Sequence, residues 1–491
     1  MKKFGLHWFR RDLRVAGNPA LQRQFSLYEG RVVCLFCFDK EFLNRPDFSI
    51  NRFQFFLETL DALKQELRQI GSDLLVLDTG PKEAFKQLFD GLKNSSTLEC
   101  LDLISFCRDY EPFACQRDDQ MTTFFEDHSL SVETFRDHLI IEPDELTKDD
   151  GEGYKVYTPF SRKWMELIEN DQFQSRINSQ VTSIEYYKKK KFNRKLFQLS
   201  WNDVLKNKYF LEDVLKQYIE DNSKFVDIPI PPAGSLHAWK SLEEFCSKIQ
   251  AYGQKRDFPA QEATSKFSLY LKNGSLTTAQ IYYYLKLKTY KKKQLSQDVF
   301  LSEIIWREFY YHLLWRHPRV EQEAFLTQYK DLKWANDKEK FQIWCEGKTG
   351  FPIVDAGMRQ LNQTGWMHNR VRMIVASFLT KDLLIDWKWG EQYFMEKLLD
   401  GDVAANNGGW QWAASTGCDA QPYFRIFNPW TQSKRFDPEG VYIKKYLPQL
   451  KEYPAKSLHK PILDCEAYPA PIVDHSAQRN KALAMYKINK K

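Results

Sequence analysis

The apolar period of this chain changes partway along it, and that change restricts the fold more than any other feature. Within residues 1–130, short apolar runs alternate with amphipathic stretches. Phe4–Phe9, Arg31–Phe38, Leu74–Asp78 and Leu101–Phe106 read as strands, and Asn51–Ile70 and Pro81–Asp90 read as helices between them. Strands separated by helices pair in parallel, so the alternation predicts a doubly wound parallel α/β sheet. No GxGxxG follows the first strand, so the standard dinucleotide fingerprint is absent. From Ser235 onward the period is helical. Ser241–Tyr252, Thr277–Lys288, Val299–Arg316, Pro352–Gln363, Asn369–Asp386 and Gly390–Leu399 all read as helices, which predicts an all-α C-terminal domain. The expected division is 1–130 for the α/β domain, 131–230 for a connector and 231–491 for the helical domain. The connector carries the acidic patch Asp149-Asp150-Gly151-Glu152 and the basic run Lys188–Lys191, read as a solvated loop. It ends in Ile228-Pro229-Ile230-Pro231-Pro232-Ala233-Gly234.

Composition narrows the function. At 491 residues the chain exceeds one small core, and 43% hydrophobic with 28% charged residues is ordinary globular usage. Mean hydropathy is −0.56, and no window approaches the roughly 20 apolar residues of a membrane helix. Arg10, Arg11 and Asp12 interrupt the N-terminal apolar run before a signal region forms, so a cytoplasmic protein without a membrane partner is expected. Nine cysteines are scattered, and only Cys34 and Cys37 form a CxxC, inside the apolar run Val32–Phe38. They read as reduced core thiols, and no metal site is expected. Charge is uneven. Residues 231–491 hold 38 Lys and Arg against 27 Asp and Glu, a net of +11, whereas the rest of the chain is net −5. A basic, aromatic-rich half, with 14 Trp in the whole chain, suits a flat polyanion: nucleic acid, a nucleotide cofactor, or both.

Three segments of that half carry chemistry. In Leu301–Tyr310, Glu303, Trp306 and Arg307 stand at i, i+3 and i+4 and share one helix face. In Gly365–Met373, Asn369, Arg372 and Met373 do the same. Arg372 precedes the apolar run Met373–Ala376, so its helix is expected to be buried and its guanidinium to need an anionic partner. The third segment, Asp400-Gly401-Asp402-Val403-Ala404-Ala405-Asn406-Asn407-Gly408-Gly409-Trp410-Gln411-Trp412, is the most informative. Its glycines allow a backbone to approach a flat ligand, and its asparagine amides can bond ring nitrogens and carbonyls.

This string resembles the flavin-binding core of the photolyase/cryptochrome family. The resemblance extends to the opening His7-Trp8-Phe9-Arg10-Arg11-Asp12-Leu13-Arg14, to Tyr154–Trp164, to Arg256–Ser268 and to Gly347–Leu450, and is strongest to the class I cyclobutane-pyrimidine-dimer photolyases. It implies a helical domain that holds FAD. By similarity, Tyr252, Thr264, Ser265, Phe267 and Ser268 hold the phosphate and ribityl region, with Arg307 near the phosphates. Asn369 and Arg372 line the flavin, Arg372 pairs with Asp400, Asp402 contacts the ribityl or ring edge, and Asn406 faces N5. The implied partner is DNA with a pyrimidine dimer that must leave the duplex to reach the flavin. Trp306 and Trp412 are the expected platform, Glu303 and Asn369 the polar contacts, Met373 an apolar one, and Arg256, Arg370 and Arg425 the residues nearest the strand. The implied reaction is passage of an electron from reduced flavin to the dimer in light. By similarity Glu303 stabilises the charged dimer, and Trp334, Trp387 and Trp410 match the family's relay that rereduces the flavin. A monomer is expected.

The antenna region departs from the folate-binding pattern. Tyr110-Glu111 is followed by Pro112-Phe113-Ala114 instead of an Asn-Glu pair, and no lysine follows His317-Pro318 in Arg319–Glu323. Methenyltetrahydrofolate is the expected second chromophore, with a deazaflavin, a second flavin or an empty site as alternatives. The competing activities are cryptochrome signalling, which the asparagine at 406 opposes, and repair of the (6-4) photoproduct, whose enzymes place histidines at the substrate face. Here His368 is alone and reads as packing.

Overall fold

Five short strands make one parallel sheet in the order β3-β2-β1-β4-β5: β1 (Phe4–Trp8), β2 (Val32–Cys37), β3 (Leu74–Leu77), β4 (Leu101–Cys107) and β5 (Ser131–Phe135). The computed structural model describes residues 3–94, 96, 98–182, 214–293, 295–419 and 425–488; the lysine run at 188–191 lies outside them. Alternate residues of β2 feed opposite faces. Val32, Cys34 and Phe36 join the helices Pro19–Tyr28 and Ile50–Gln69, whereas Val33, Leu35 and Cys37 join Pro81–Asn94 and Pro112–Asp127. Burial on both faces is why these strands are continuous apolar runs. β5 was not legible in this way. It is an edge strand with Ser131, Glu133 and Thr134, only partly buried, and it lies just past residue 130.

Strand order runs outward from β1 in both directions, which opens a crevice at the C-terminal ends of β1 and β4. Arg11 follows β1 there, and Asp109 and Glu111 follow β4.

The C-terminal half is helical throughout the described residues. Its axis is the helix Ser296–Arg316, and the segment after β5 is strapped to that helix. Glu308, fully buried, accepts from the backbone N–H groups of Ile140 (2.6 Å) and Ile141 (3.3 Å) and from the Trp164 indole (2.6 Å). His312 donates to the Ile141 carbonyl (2.9 Å). Burial pushes the Glu308 carboxyl above its usual range, against the pull of these donors and of Arg307. The same segment reaches Arg307, which donates to the His138 carbonyl (3.0 Å).

Two expected helices are shorter than their periodicity suggested. Thr278–Tyr284 stops before Lys286, which has φ 52°. Asn369–Ser377 passes into a π-helical turn over Phe378–Asp382 and ends before Leu384, with φ 54°. That turn buries Lys381, whose ammonium donates to the Ala414 carbonyl (2.7 Å) and Ser415 Oγ (3.2 Å). The last carbonyl of the helix Val403–Ala414 is thereby satisfied, with the Tyr486 hydroxyl as a second donor. Among the described residues no helix is long and apolar enough to cross a membrane.

Candidate functional site

A cavity of about 570 Å³ opens between the Ser296–Arg316, Asn369–Ser377 and Val403–Ala414 helices. Its wall contains every residue expected to hold the cofactor, as well as Glu303, Trp306, Arg256, Arg370, Met373, Trp410 and Trp412. Both i, i+3, i+4 faces read from the sequence converge on this space. Trp387 and Trp334 stand behind it. Trp387 is 2% exposed within the apolar cluster that holds Trp410, and Trp334 is half-buried at that cluster's edge.

The carboxylates are all held. Asp400, with its side chain 2% exposed, accepts from Arg372 at both oxygens (3.1 and 2.9 Å) and from Ser268 Oγ (2.7 Å). Arg372 also donates from Nε to the Met367 carbonyl (2.8 Å), which fixes the plane of its guanidinium. Asp402 caps the Val403–Ala414 helix by accepting from Ala405 N (3.0 Å). Its other oxygen accepts from Tyr311 and from Arg11 (3.1 Å), and Lys272 stands 3.9 Å away. Burial opposes the charged form, but the Lys272 ammonium and the Arg11 and Arg307 guanidinia hold the Asp402 carboxyl well below the usual range. Arg11 also pairs with Asp109 (3.1 Å) and Glu111 (2.6 Å), so the crevice of the α/β sheet closes directly onto the cap of the helix that carries Asn406.

Arg307 donates to the His138 carbonyl (3.0 Å) and to His138 Nε2 (2.6 Å) and lies over the Tyr311 ring. Burial and the neighbouring Arg307 and Arg11 charges push His138 well below its usual value, so it accepts as a neutral ring. Asn406 donates from Nδ2 to the Glu391 carbonyl (2.9 Å), and among the described residues its Oδ1 accepts nothing. Asn407 donates to Glu391 Oε1 (2.8 Å). Burial, with Glu321 adding to it, pushes Glu391 up to about 8 against that hydrogen bond, so a neutral carboxyl backs the asparagine pair at pH 7.

At the mouth, Arg256 pairs with Glu303, Arg370 with Asp257 (2.8 Å), and Arg425 lies exposed over the Trp412 ring at 5.4 Å. Asn369 is exposed at the rim. Trp306 stacks on Tyr157 with centroids 3.7 Å apart and planes 2° apart. His368 is a cap: its Nδ1 accepts from Arg370 N (3.1 Å), and burial lowers its pKa to about 4.

The residues present fit FAD. A Cβ at Gly409 would meet no protein atom within 4 Å, and Gly409 lines the cavity, so the missing side chain leaves room for a flat ring. Among the described residues the Thr264 and Ser265 hydroxyls donate to no protein group, and they stand ready for phosphate or ribityl oxygens. The cavity is within the size range of cofactor sites. Sequence reasoning did not find Arg11, Lys272, His138, Tyr157, Tyr311 or Glu391. Arg11, Tyr157 and Glu391 sit in quoted segments, but nothing there shows their roles, and the target of Arg11 is 391 residues away; Lys272, His138 and Tyr311 carry no local signal.

Residues 5–177 match the family model for DNA photolyase, and residues 300–488 match that for the FAD binding domain of DNA photolyase. The deoxyribodipyrimidine photo-lyase of Vibrio cholerae is 39% identical, over 99% of each chain. That of Escherichia coli is 35% identical, again over 99% of each. A bacterial class III photolyase from Agrobacterium tumefaciens superposes with a TM-score of 0.80 at 31% identity, over 100% of this chain and 98% of that one. An archaeal photolyase from Sulfolobus tokodaii, with two FAD molecules, does so at 0.76 and 30%, over 99% of each.

Proposed function

The chain belongs to the DNA photolyase family, and from that footing we propose that its cavity seats FAD and a flipped pyrimidine dimer against one another. It is an enzyme that uses light to split cyclobutane pyrimidine dimers in DNA. The observation that carries the arrangement is a single space walled by Asp400, Asp402 and Asn406 on one side and by Glu303, Trp306 and Trp412 at its mouth. Bound and reduced, FAD supplies the light-driven electron.

The chain's own groups bind and orient. Thr264, Ser265, Ser268 and Arg307 serve the phosphate and ribityl end, with Tyr252 and Phe267 as apolar wall. Arg372 and Asp400 form a fixed polar edge, Asp402 completes it, and Asn406 presents Oδ1 to the ring. The Trp306 face opposite Tyr157 stacks on the dimer bases, Trp412 and Met373 close over them, and Asn369 bonds a base edge. Glu303, positioned beside Arg256 and acting in its protonated form, donates a hydrogen bond to the dimer as negative charge develops on it, which favours ring opening over return. Arg370 and Arg425 contact strand phosphates. Trp410, Trp387 and Trp334 pass electrons inward from an external reductant. The site is completed within one chain, which supports a monomer. Methenyltetrahydrofolate remains the proposed second chromophore. A strong extra near-ultraviolet band in the purified protein would support it, and a second equivalent of FAD would replace it.

The test is repair of dimer-containing DNA by the reduced, FAD-loaded protein under blue light. Repair that requires light and FAD is expected, with binding that weakens steeply as salt rises. Equal affinity for damaged and undamaged DNA, with no repair, would end this reading.

Two variants separate the roles at the mouth. Trp306→Ala should lower dark affinity for the dimer about 5- to 150-fold, the equivalent of roughly 1–3 kcal/mol of base–aromatic stacking. Glu303→Ala should instead lower repair per absorbed photon at saturating DNA. Normal repair of every bound dimer by Glu303→Ala would make Glu303 a plain binding residue, and unchanged affinity in Trp306→Ala would leave Trp306 as packing against Tyr157.

A further inference from the structure

From Ala263 to Gln297 the chain has seven lysines and no Asp or Glu. Two of the seven, Lys266 and Lys272, belong to the cavity and to the Asp402 cluster. The other five fall between the helices Thr278–Tyr284 and Ser296–Arg316, in Lys286-Leu287-Lys288-Thr289-Tyr290-Lys291-Lys292-Lys293, and all five are exposed. Among the described residues Lys286, Lys288, Lys291 and Lys292 form no ion pair.

A lysine run alone is an ordinary solvated face. Two further features set this one apart. First, it begins at exposed aromatic rings: Tyr283 is 47% exposed, and Tyr284, 41% exposed, packs edge-on against Trp239 at 4.6 Å. Second, it ends at the mouth of the repair cavity. Tyr290 hydrogen-bonds Ser302, the residue before Glu303. Lys293 feels the charges of both Glu303 and Arg256. Ser296 is tied to the helix that leads to Arg256, accepting from Gly253 N (3.0 Å) and donating to the Gln250 carbonyl (2.7 Å). The segment is therefore a fixed strip, positively charged and tipped with flat rings, continuous with the surface that receives the lesion.

We propose that this strip is a second DNA-contact surface, which takes the backbone of the strand flanking the dimer and, where that strand is single, stacks an unpaired base on Tyr283. The proposal rests on the repair reading. It adds which part of the DNA outside the lesion this chain holds, and with which residues. Lysines spaced along an exposed strip suit a row of phosphates, and stacking on an exposed tyrosine is sequence-tolerant. Strip and cavity would then contribute separately, the one to salt-dependent affinity and the other to recognition of the dimer.

The experiment compares a dimer flanked by a single nucleotide on each side with a dimer centred in a long duplex. It uses the FAD-loaded protein and a variant carrying Lys286→Ala, Lys288→Ala, Lys291→Ala and Lys292→Ala. On the short ligand the two proteins should bind alike and repair alike, which shows that the lesion site is intact. On the long duplex the variant should lose about 0.9 in the magnitude of the log–log salt slope per lysine removed. The loss of affinity between 50 and 200 mM salt should accordingly shrink on the order of a hundredfold. Tyr283→Ala should weaken binding of a long single strand several-fold and leave the duplex unchanged. An unchanged salt slope on the long duplex overturns the proposal. So does an equal loss on both ligands, which would place the effect in the cavity. Failure of both proteins to prefer dimer-containing DNA would count against the repair reading instead.

Discussion

Light should no longer reduce oxidised flavin in Trp410→Phe, while repair by protein reduced chemically beforehand should stay near normal. Trp410 is the one member of the proposed relay that lines the cavity, and it is 2% exposed. A phenyl ring is far harder to oxidise than an indole, so the first electron step fails even though Trp387 and Trp334 remain. The substitution is gentle on packing. Trp410 lies against Gly390, where a Cβ would come within 2.1 Å of the indole, and its ring centroid is 4.9 Å from that of Phe394. A phenyl group still fills most of that slot, so the cost should fall below the about 3–5 kcal/mol of truncation to alanine. The measurement is flavin absorbance during illumination with an external reductant, set beside repair yield after chemical reduction. Continued photoreduction would remove Trp410 from the relay and turn attention to Trp344, whose ring centroid is 6.1 Å away.

Arg372→Ala should cost about 3–5 kcal/mol of folding stability and release FAD. Asp400 is buried with two kinds of donor, the Arg372 guanidinium and the Ser268 hydroxyl, and the variant leaves only the second. Removing one partner of a buried pair leaves a charge with one hydroxyl donor in place of a guanidinium, and that penalty exceeds what the pair contributes when intact. Arg372→Lys should recover part of the loss. It keeps the charge, but it cannot both span the two Asp400 oxygens and donate to the Met367 carbonyl. Adding Asp400→Asn to Arg372→Ala should recover stability without recovering FAD, because it removes the orphan charge but not the missing ligand edge. Denaturant titration with and without FAD reads both effects. If the double variant were no more stable than Arg372→Ala, the unpaired-charge account would fail.

Those residues were legible because their signals are local. A period of 3.6 put Glu303, Trp306 and Arg307 on one face, and Asn369, Arg372 and Met373 on another. Runs such as Val32–Cys37 revealed buried parallel strands, and the Asp400–Trp412 string carried the resemblance to a flavin core. A local pattern is reliable where neighbours in the chain share one environment, as on a helix face or in a strand buried on both sides. It overran where a distant group decided the outcome. The pattern from Asn369 to Asp386 reads as one helix, but Lys381 leaves the regular ladder to reach the carbonyl end of the helix Val403–Ala414.

Tertiary structure alone decided how the cavity is held. Arg11 crosses from the β1 crevice to Asp402, His138 grips Arg307, Glu308 straps residues 140 and 141 to the central helix, and Glu391 backs Asn406 and Asn407. None of these pairings has a spacing that a sequence can display. Each exists because a charge or amide taken out of water must find a partner, and in a folded chain the nearest one is set by packing and not by order along the backbone.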